Sequence, residues 1–287
     1  MNLPPFRSCV VTLAALALTA GLSAQSPALD VPAASPACTL QQRVGLTDFK
    51  VVYSRPSARG RTMLGGQNPY GEVWRTGANA STKISFSTPV KLSGVSVPAG
   101  NYALYTIPGP STWTIIIDKD TSMWGAYTYD PKNDLVRFPV QAVSLAEPVE
   151  TFTIEFGDLR DESATLNLFW EKTRVPIKLE VDVVGPVTAQ IDAAMAAAGK
   201  KPYVAAAQFY LEHHLDLTKA LAWISAAVAE KPGYSNLYWK ARILAATGDK
   251  DAAIATANQS IASAAKAKGP VGGEYTRLDQ QLILSLH

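Results

Sequence analysis

The side chains able to do chemistry are unevenly placed along this chain. A stretch from Ser54 to Asn79, SRPSARGRTMLGGQNPYGEVWRTGAN, is rich in glycine, lacks a hydrophobic period and gathers Arg55, Arg59, Arg61 and Arg75 with Tyr70 and Trp74. Aperiodic segments of this length in compact domains are usually functional or ordered by their own contacts. Forked guanidinium donors beside aromatic rings suit an anion or a sugar, held by charge and by stacking. The competing expectation is a packed loop in which Trp74 fills the core, Gly77 and Asn79 take left-handed turn positions, and Arg75 pairs with Glu72 or another carboxylate. A second set follows at Trp124, Tyr127, Tyr129, Asp130, Asp134 and Arg137. The spacing puts Tyr127 and Tyr129 on one strand face, either as a stacking platform or as part of a core. The candidate ligand-binding residues are therefore Arg55, Arg61, Tyr70, Trp74, Arg75, Asn79, Tyr127, Tyr129, Asp130, Asp134 and Arg137. A saccharide or an anion is the expected ligand.

Catalytic chemistry has less support. His213, His214 and His287 all fall in the last third of the chain, so no Ser-His or Cys-His pair and no histidine-rich zinc site can be built within the first two thirds. His213 and His214 are adjacent, about 100° apart on a helix, and lack the four-residue spacing of a zinc-binding pair. No phosphate-cradling glycine loop, dinucleotide fingerprint or G-x-S-x-G elbow is present, so no cofactor is expected. Asp118-Lys119-Asp120-Thr121-Ser122 offers oxygens at the first, third and fifth positions of a calcium loop. However, Met123 stands where such a loop needs glycine and Tyr129 where it needs glutamate, so no metal is expected there. Asp130, Asn133 and Asp134 read as an Asx-stabilised turn. Glu72, Asp118, Asp130, Asp134, Glu155 and Glu171 leave one enzymatic alternative open, a saccharide hydrolase using two carboxylates about 5–10 Å apart across a groove. Glu155 and Glu171 read as solvent-facing strand positions.

Two kinds of element must carry these residues. From about Phe49 to Val184 the pattern has period two, clearest at Val175, Ile177, Leu179, Val181 and Val183 with Lys178, Glu180 and Asp182 between them. Phe152, Ile154 and Phe156, Leu166, Leu168 and Trp170, and Trp113, Ile115 and Ile117 repeat it, separated by turn signals such as Pro98-Ala99-Gly100 and Pro108-Gly109-Pro110. Short strands without intervening helices predict an antiparallel β-sandwich, jelly-roll-like in type. After Gly185-Pro186 the composition turns alanine-rich, and the pattern predicts helices over 187–198, 203–214, 217–230, 235–247, 250–266 and 273–285. Asp216 and Ser235 can cap starts, and Gly199, Gly233, Gly248 and Gly269 mark ends. Ala220, Ile224, Ala227 and Pro232 have tetratricopeptide-like spacing, and Leu237, Ala241, Leu244, Ala253 and Ala257 repeat much of it about 33 residues on. The fold class is thus α+β in two modules, residues 45–184 and 185–287.

The amino terminus speaks to compartment. Arg7, an apolar run from Val10 to Ala20, and the small residues Leu22-Ser23-Ala24 form the three parts of a secretory leader, with cleavage expected near Ala24. The run is about half the ~20 residues needed to span a bilayer, so stable membrane insertion is not expected after cleavage. Residues 25–44, which include the Pro- and Ala-rich PALDVPAASPAC, read as a flexible linker. Loss of the leader leaves Cys38 as the sole thiol, so no intramolecular disulfide can form. Lys+Arg 26 against Asp+Glu 24 gives a net charge of +2, too small a field to favour nucleic acid.

Tyr53-Ser54-Arg55-Pro56-Ser57, Gly60-Arg61, Pro69-Tyr70-Gly71-Glu72-Val73-Trp74-Arg75-Thr76-Gly77-Ala78-Asn79, Pro98-Ala99-Gly100-Asn101-Tyr102, Trp113, Tyr127-Thr128-Tyr129-Asp130 and Asp134-Leu135-Val136-Arg137 resemble the domain-of-unknown-function family numbered 2911, over about residues 45–182. The resemblance implies an exported bacterial protein with a β-rich domain, sometimes followed by helices, and implies no activity. The expectation is a non-catalytic, periplasmic or secreted protein that binds a ligand through the β domain and an envelope protein through its helices. The alternatives are the carboxylate hydrolase and a structural envelope component, the last of which requires a wholly buried Trp74–Asn79 motif.

Overall fold

The computed structural model describes Met1, residues 31–267 and residues 269–287. The expected leader lies outside the described residues. Ten strands in two antiparallel sheets precede six helices among the described residues. The larger sheet contains β1 (Ala37–Val44), β2 (Thr47–Ser54), β3 (Thr82–Phe86), β6 (Gly100–Ile107), β7 (Thr112–Asp118) and β8 (Asp134–Gln141), in that spatial order. The smaller is ordered β5 (Val95–Val97), β4 (Val90–Leu92), β10 (Ser163–Val181) and β9 (Val143–Gly157). The jelly-roll-like expectation holds at the level of two facing antiparallel sheets. Within them the chain runs as a meander with one excursion, the β4–β5 hairpin, into the opposite sheet.

Alternation explains the packing. Phe49, Val51 and Tyr53 of β2 meet Phe152 and Ile154 of β9 and Leu166, Leu168 and Trp170 of β10 in one core, joined by Trp113, Ile115 and Ile117 of β7. The period-two run from Val175 to Val183 is buried at every second position. Each such side chain stabilises the fold by about 1.5–3 kcal/mol relative to exposure.

One correction concerns the first strand. Residues 37–44 fall in the segment expected as a linker, yet they pair with β2 from Ala37↔Ser54 to Val44↔Thr47. Cys38 and Leu40 pack partly buried against the core. The polar alternation of ACTLQQRV is that of an edge strand with one wet face.

The outer face of the larger sheet is half covered. The 119–133 segment folds back over β6 and β7, where Met123 closes a small core with Ala103, Tyr105 and Ile116. The Tyr105 hydroxyl donates to the Gly125 carbonyl at 3.2 Å, and the Ser81 hydroxyl donates to the Met123 carbonyl at 3.1 Å.

The helices are α1 (Val184–Ala196), α2 (Tyr203–Glu212), α3 (Leu217–Glu230), α4 (Tyr234–Ala246), α5 (Lys250–Ala264) and α6 (Pro270–Leu286). Asp216 caps α3 as expected, accepting from the Thr218 and Lys219 amides. Ser235 does not cap α4. Gly233 holds the cap position, and the Ser235 hydroxyl lies 3.0 Å from that of Tyr275. Helix α1 starts before Pro186 rather than after it, because a proline in the first turn lacks only an N–H that would be unpaired there anyway. Ala220, Ala241, Ala253 and Ala257 are fully buried, letting neighbouring helices approach closely. Val187 and Phe209 pack against the sandwich core, and His213 Nδ1 lies 3.7 Å from Glu162. Among the described residues no helix is long and apolar enough to cross a membrane.

Candidate functional site

Trp74 and the residues after it alternate between core and surface. The Trp74 backbone bridges Thr106 of β6, with amide-to-carbonyl distances of 2.7 and 3.0 Å. This drives its indole into the core, where it stacks on Trp170 at 5.4 Å and meets Phe152 and Trp113 edge-on. Its Nε1 donates to the Gly77 carbonyl at 3.1 Å, so the buried N–H is satisfied. Thr76 is buried at φ 54°, an unusual value for a β-branched residue. It is held by its Oγ1–Thr106 Oγ1 contact at 3.1 Å and by the Thr82 hydroxyl, which donates to its carbonyl at 2.6 Å. Asn79 is exposed at φ 60°, and its amide reaches Ser54 Oγ at 3.2 Å. With Trp74 and Thr76 turned inward, Arg75 between them is turned out.

Arg75 does not pair with Glu72 or with any other carboxylate among the described residues. Its guanidinium donates to the Asn79 carbonyl at 2.9 Å and approaches the Tyr127 hydroxyl at 3.4 Å. It lies 5.6 Å from the Trp124 ring centre and 5.4 Å from that of Tyr127. Those two rings stack on one another at 6.0 Å, while remaining 62 % and 76 % exposed. Gly125 makes this packing possible: at φ +80° it places Tyr127 and Arg75 where a Cβ would sit 2.8 Å from the tyrosine ring.

These groups border a concavity of about 340 Å³ with Trp74 and Trp170 in its lining and Arg61, Met63 and Asn68 along another side. Arg61 is pinned by its Nε to the Ala58 carbonyl and by its Nη2 to that of Ser57, each at 2.9 Å. The far side is fixed by Glu171, whose two carboxylate oxygens accept the Met63 and Leu64 amides at 2.8 and 2.9 Å. Glu171 sits between two register shifts of the β9–β10 ladder at φ 47°, and this bulge turns its side chain onto the loop.

Of the sequence-derived candidates, Arg61, Trp74, Arg75, Asn79 and Tyr127 share this concavity. The others lie outside it. Arg55 ties the two sheets together, donating to the Phe152 carbonyl at 3.2 Å and Thr153 Oγ1 at 2.6 Å. Tyr70 lays its ring over Gly65. Asp130 caps the short 3₁₀ turn Pro131–Asn133 through the Lys132 amide. Tyr129, Asp134 and Arg137 satisfy one another: the Tyr129 hydroxyl donates to Asp134 at 2.7 Å, and Arg137 donates to both. Burial, then the bond to Asp134, pushes the Tyr129 phenol up. This triad clasps the 119–133 segment to β8 and so carries Trp124 and Tyr127. Trp124, outside the sequence-derived candidates, lines the concavity, and Glu171, expected to face solvent, turns onto the loop. A local signal for Glu171 is lacking, because its role depends on a bulge.

The 118–122 loop lies beside a half-buried lysine. Lys83 donates to Ser81 Oγ at 2.7 Å and to the Thr121 carbonyl, with the charges of Asp118 and Asp120 acting on it. Burial pulls its pKa down while those carboxylates oppose the shift. Asp118 is fully buried, its Oδ1 takes the Asp120 amide at 2.6 Å and its Oδ2 has no partner, and burial pushes its pKa up. Lys83→Met is expected to cost about 2 kcal/mol near neutral pH and less in acid, where Asp118 is protonated. Urea unfolding at two pH values checks this, and equal losses at both contradict it.

Larger depressions lie elsewhere. One of about 740 Å³ on the open face of β1–β3 is lined by Gln41, Arg43, Asp48, Lys50, Ser85 and Asn101, but Arg43 and Asp48 pair with each other at 3.2 Å and none of the exposed aromatic rings borders it. Another of about 580 Å³ brings Glu162, Glu180 and Asp182 together. Each of these carboxylates has a partner: His213, Lys178 at 2.9 Å, and the Gly185 amide at 3.0 Å respectively.

A two-sheet domain presenting a cationic, aromatic-rimmed concavity and followed by helices is the class of protein these features define. The chain belongs to the family described as "Protein of unknown function (DUF2911)", whose model matches residues 35–179, half of its length. The match begins before the 45 expected from motifs because it takes in β1. No curated protein and no solved structure matches the chain.

Proposed function

We propose that this is an exported, non-catalytic binding module, released near Ala24 into the periplasm or the medium. Its β domain holds a small polar ligand in the Arg75 concavity, and its helices engage another envelope polypeptide. The observation that carries the reading is the stacked Trp124–Tyr127 pair, left largely exposed beside a guanidinium that has no carboxylate partner among the described residues. Exposed aromatic pairs lose favourable burial unless a ligand covers them. Here they stand over a concavity whose floor the core tryptophans make rigid. Pre-formed geometry of this kind lowers the ordering cost of binding. Arg75 is half-buried and Asn79 exposed, which argues against a wholly buried structural motif, and the described lining of the concavity supplies no carboxylate pair for a hydrolase.

The test is a saccharide array probed with the mature protein and with Trp124→Ala and Tyr127→Ala. The wild type is expected to retain at least one saccharide, with either substitution weakening it by about tenfold. Equal retention by folded variants removes this surface from the account.

A further inference from the structure

Resting on that reading of the site, we propose that its ligand is an acidic saccharide, the sugar ring lying on Trp124 and Tyr127 and its carboxylate received by Arg75 and Arg61. Three observations point the same way. Among the described residues the lining of the concavity contains two arginines and no aspartate or glutamate. Neither arginine forms an ion pair among the described residues. Both are nevertheless held in place, Arg61 by two backbone carbonyls and Arg75 by the Asn79 carbonyl and the flanking rings.

A guanidinium carries five N–H donors in a fixed fork, and bonds to the described residues use only part of each set. Carbonyl partners fix position without neutralising charge. The positive charge of the two groups is therefore left for an incoming anion. A planar carboxylate matches the fork in a two-bond geometry that a hydroxyl cannot offer.

The aromatic pair makes a second, independent demand. A free inorganic anion has no use for two flat apolar faces, whereas a pyranose presents C–H groups on one face and polar groups on its rim. Concave sites of a few hundred cubic ångströms with a few placed polar groups are the ordinary form of a small-molecule site. At about 340 Å³ this one has room for one or two sugar rings of a longer chain. Ring stacking and carboxylate capture are joined in a uronate.

The experiment is calorimetric titration of the mature protein with oligogalacturonate, its carboxyl-reduced neutral counterpart and inorganic phosphate, at low and high salt. Binding of the oligouronate, weakened at least about tenfold by carboxyl reduction and by Arg75→Gln, and less by Arg61→Gln, supports the proposal. Arg75→Lys, which keeps the charge but loses the fork, should fall between wild type and Arg75→Gln. Circular dichroism checks that each variant is folded. Equal binding of the reduced oligomer overturns the acidic-ligand inference and leaves the saccharide-binding reading standing. Phosphate bound in an Arg75-dependent way with no saccharide bound overturns the inference in favour of a simple anion site. A protein that binds neither these nor any saccharide on the array overturns both.

Discussion

Glu171→Ala is expected to destabilise the sandwich by about 3 kcal/mol and to release residues 61–70 from the rim of the concavity. Both carboxylate oxygens of Glu171 accept backbone amides, those of Met63 and Leu64. Truncation leaves two part-buried N–H groups unpaired at once, since among the described residues no other side chain accepts from those two amides. Met63 and Leu64 are themselves buried in the main core, so the loop cannot swing out to rehydrate its amides without exposing them. Glu171→Gln keeps one acceptor oxygen and should lose roughly half as much. Urea unfolding gives the stability, and hydrogen exchange at the Met63 and Leu64 amides gives the local effect. If those amides stay as protected in Glu171→Ala as in the wild type, the clamp is not what holds the loop.

Asp279→Asn is expected to raise the stability of the helical module above pH about 6 and to do little in acid. Asp279 lies on α6, fully buried, and neither carboxylate oxygen has a partner among the described residues. Burial pushes its carboxyl up to about 6, with the Ser260 hydroxyl opposing the shift. That hydroxyl is already committed to the Tyr234 carbonyl at 2.8 Å, which limits its help. Tyr238 on α4 and Tyr275 on α6 share the neighbourhood, and Arg242 is turned onto the Trp239 ring at 4.6 Å. The folded-state pKa is above the ordinary 3.8, so folding favours the protonated form. At a pH below both values the group makes no pH-dependent contribution. As pH rises towards 6, only the unfolded chain ionises and stability falls. Above 6 the loss is complete, about 3 kcal/mol. Asparagine cannot ionise, so its thermal transition, followed by the helical circular dichroism signal, should lie above that of the wild type near pH 8 and converge with it near pH 4. A difference that is constant across that range means that folding does not shift the Asp279 pKa.

The parts of this fold that were legible in the sequence are those whose signals are local. Helix α3 runs over 217–230 as expected because Asp216 caps it and its apolar residues recur at helical spacing. The strand alternation from Val175 to Val183 and the inward turn of Trp74 are local in the same sense. Strand β1 follows a Pro- and Ala-rich stretch and alternates mostly polar residues, a weak signal that becomes a strand only through its pairing with β2. The site was half legible: Arg61, Trp74, Arg75, Asn79 and Tyr127 do share one concavity, but Asp130, Asp134 and Arg137 lie elsewhere, clasping a loop. Trp124 and Glu171 required three-dimensional information. The first reaches Arg75 only because the 119–133 segment folds back across β6 and β7. The second reaches Met63 only because a bulge reverses the side on which its carboxylate emerges.

Whether the exposed ring pair is a ligand platform is read most directly from the Trp124 indole N–H in a two-dimensional NMR titration with the saccharide that the mature protein retains. The account predicts a saturable shift of the Trp124 signal and of the Tyr127 ring, with the indoles of Trp223 and Trp239 in the helices unmoved. A titration in which Trp124 stays fixed while other signals move, or in which nothing moves at all, contradicts it.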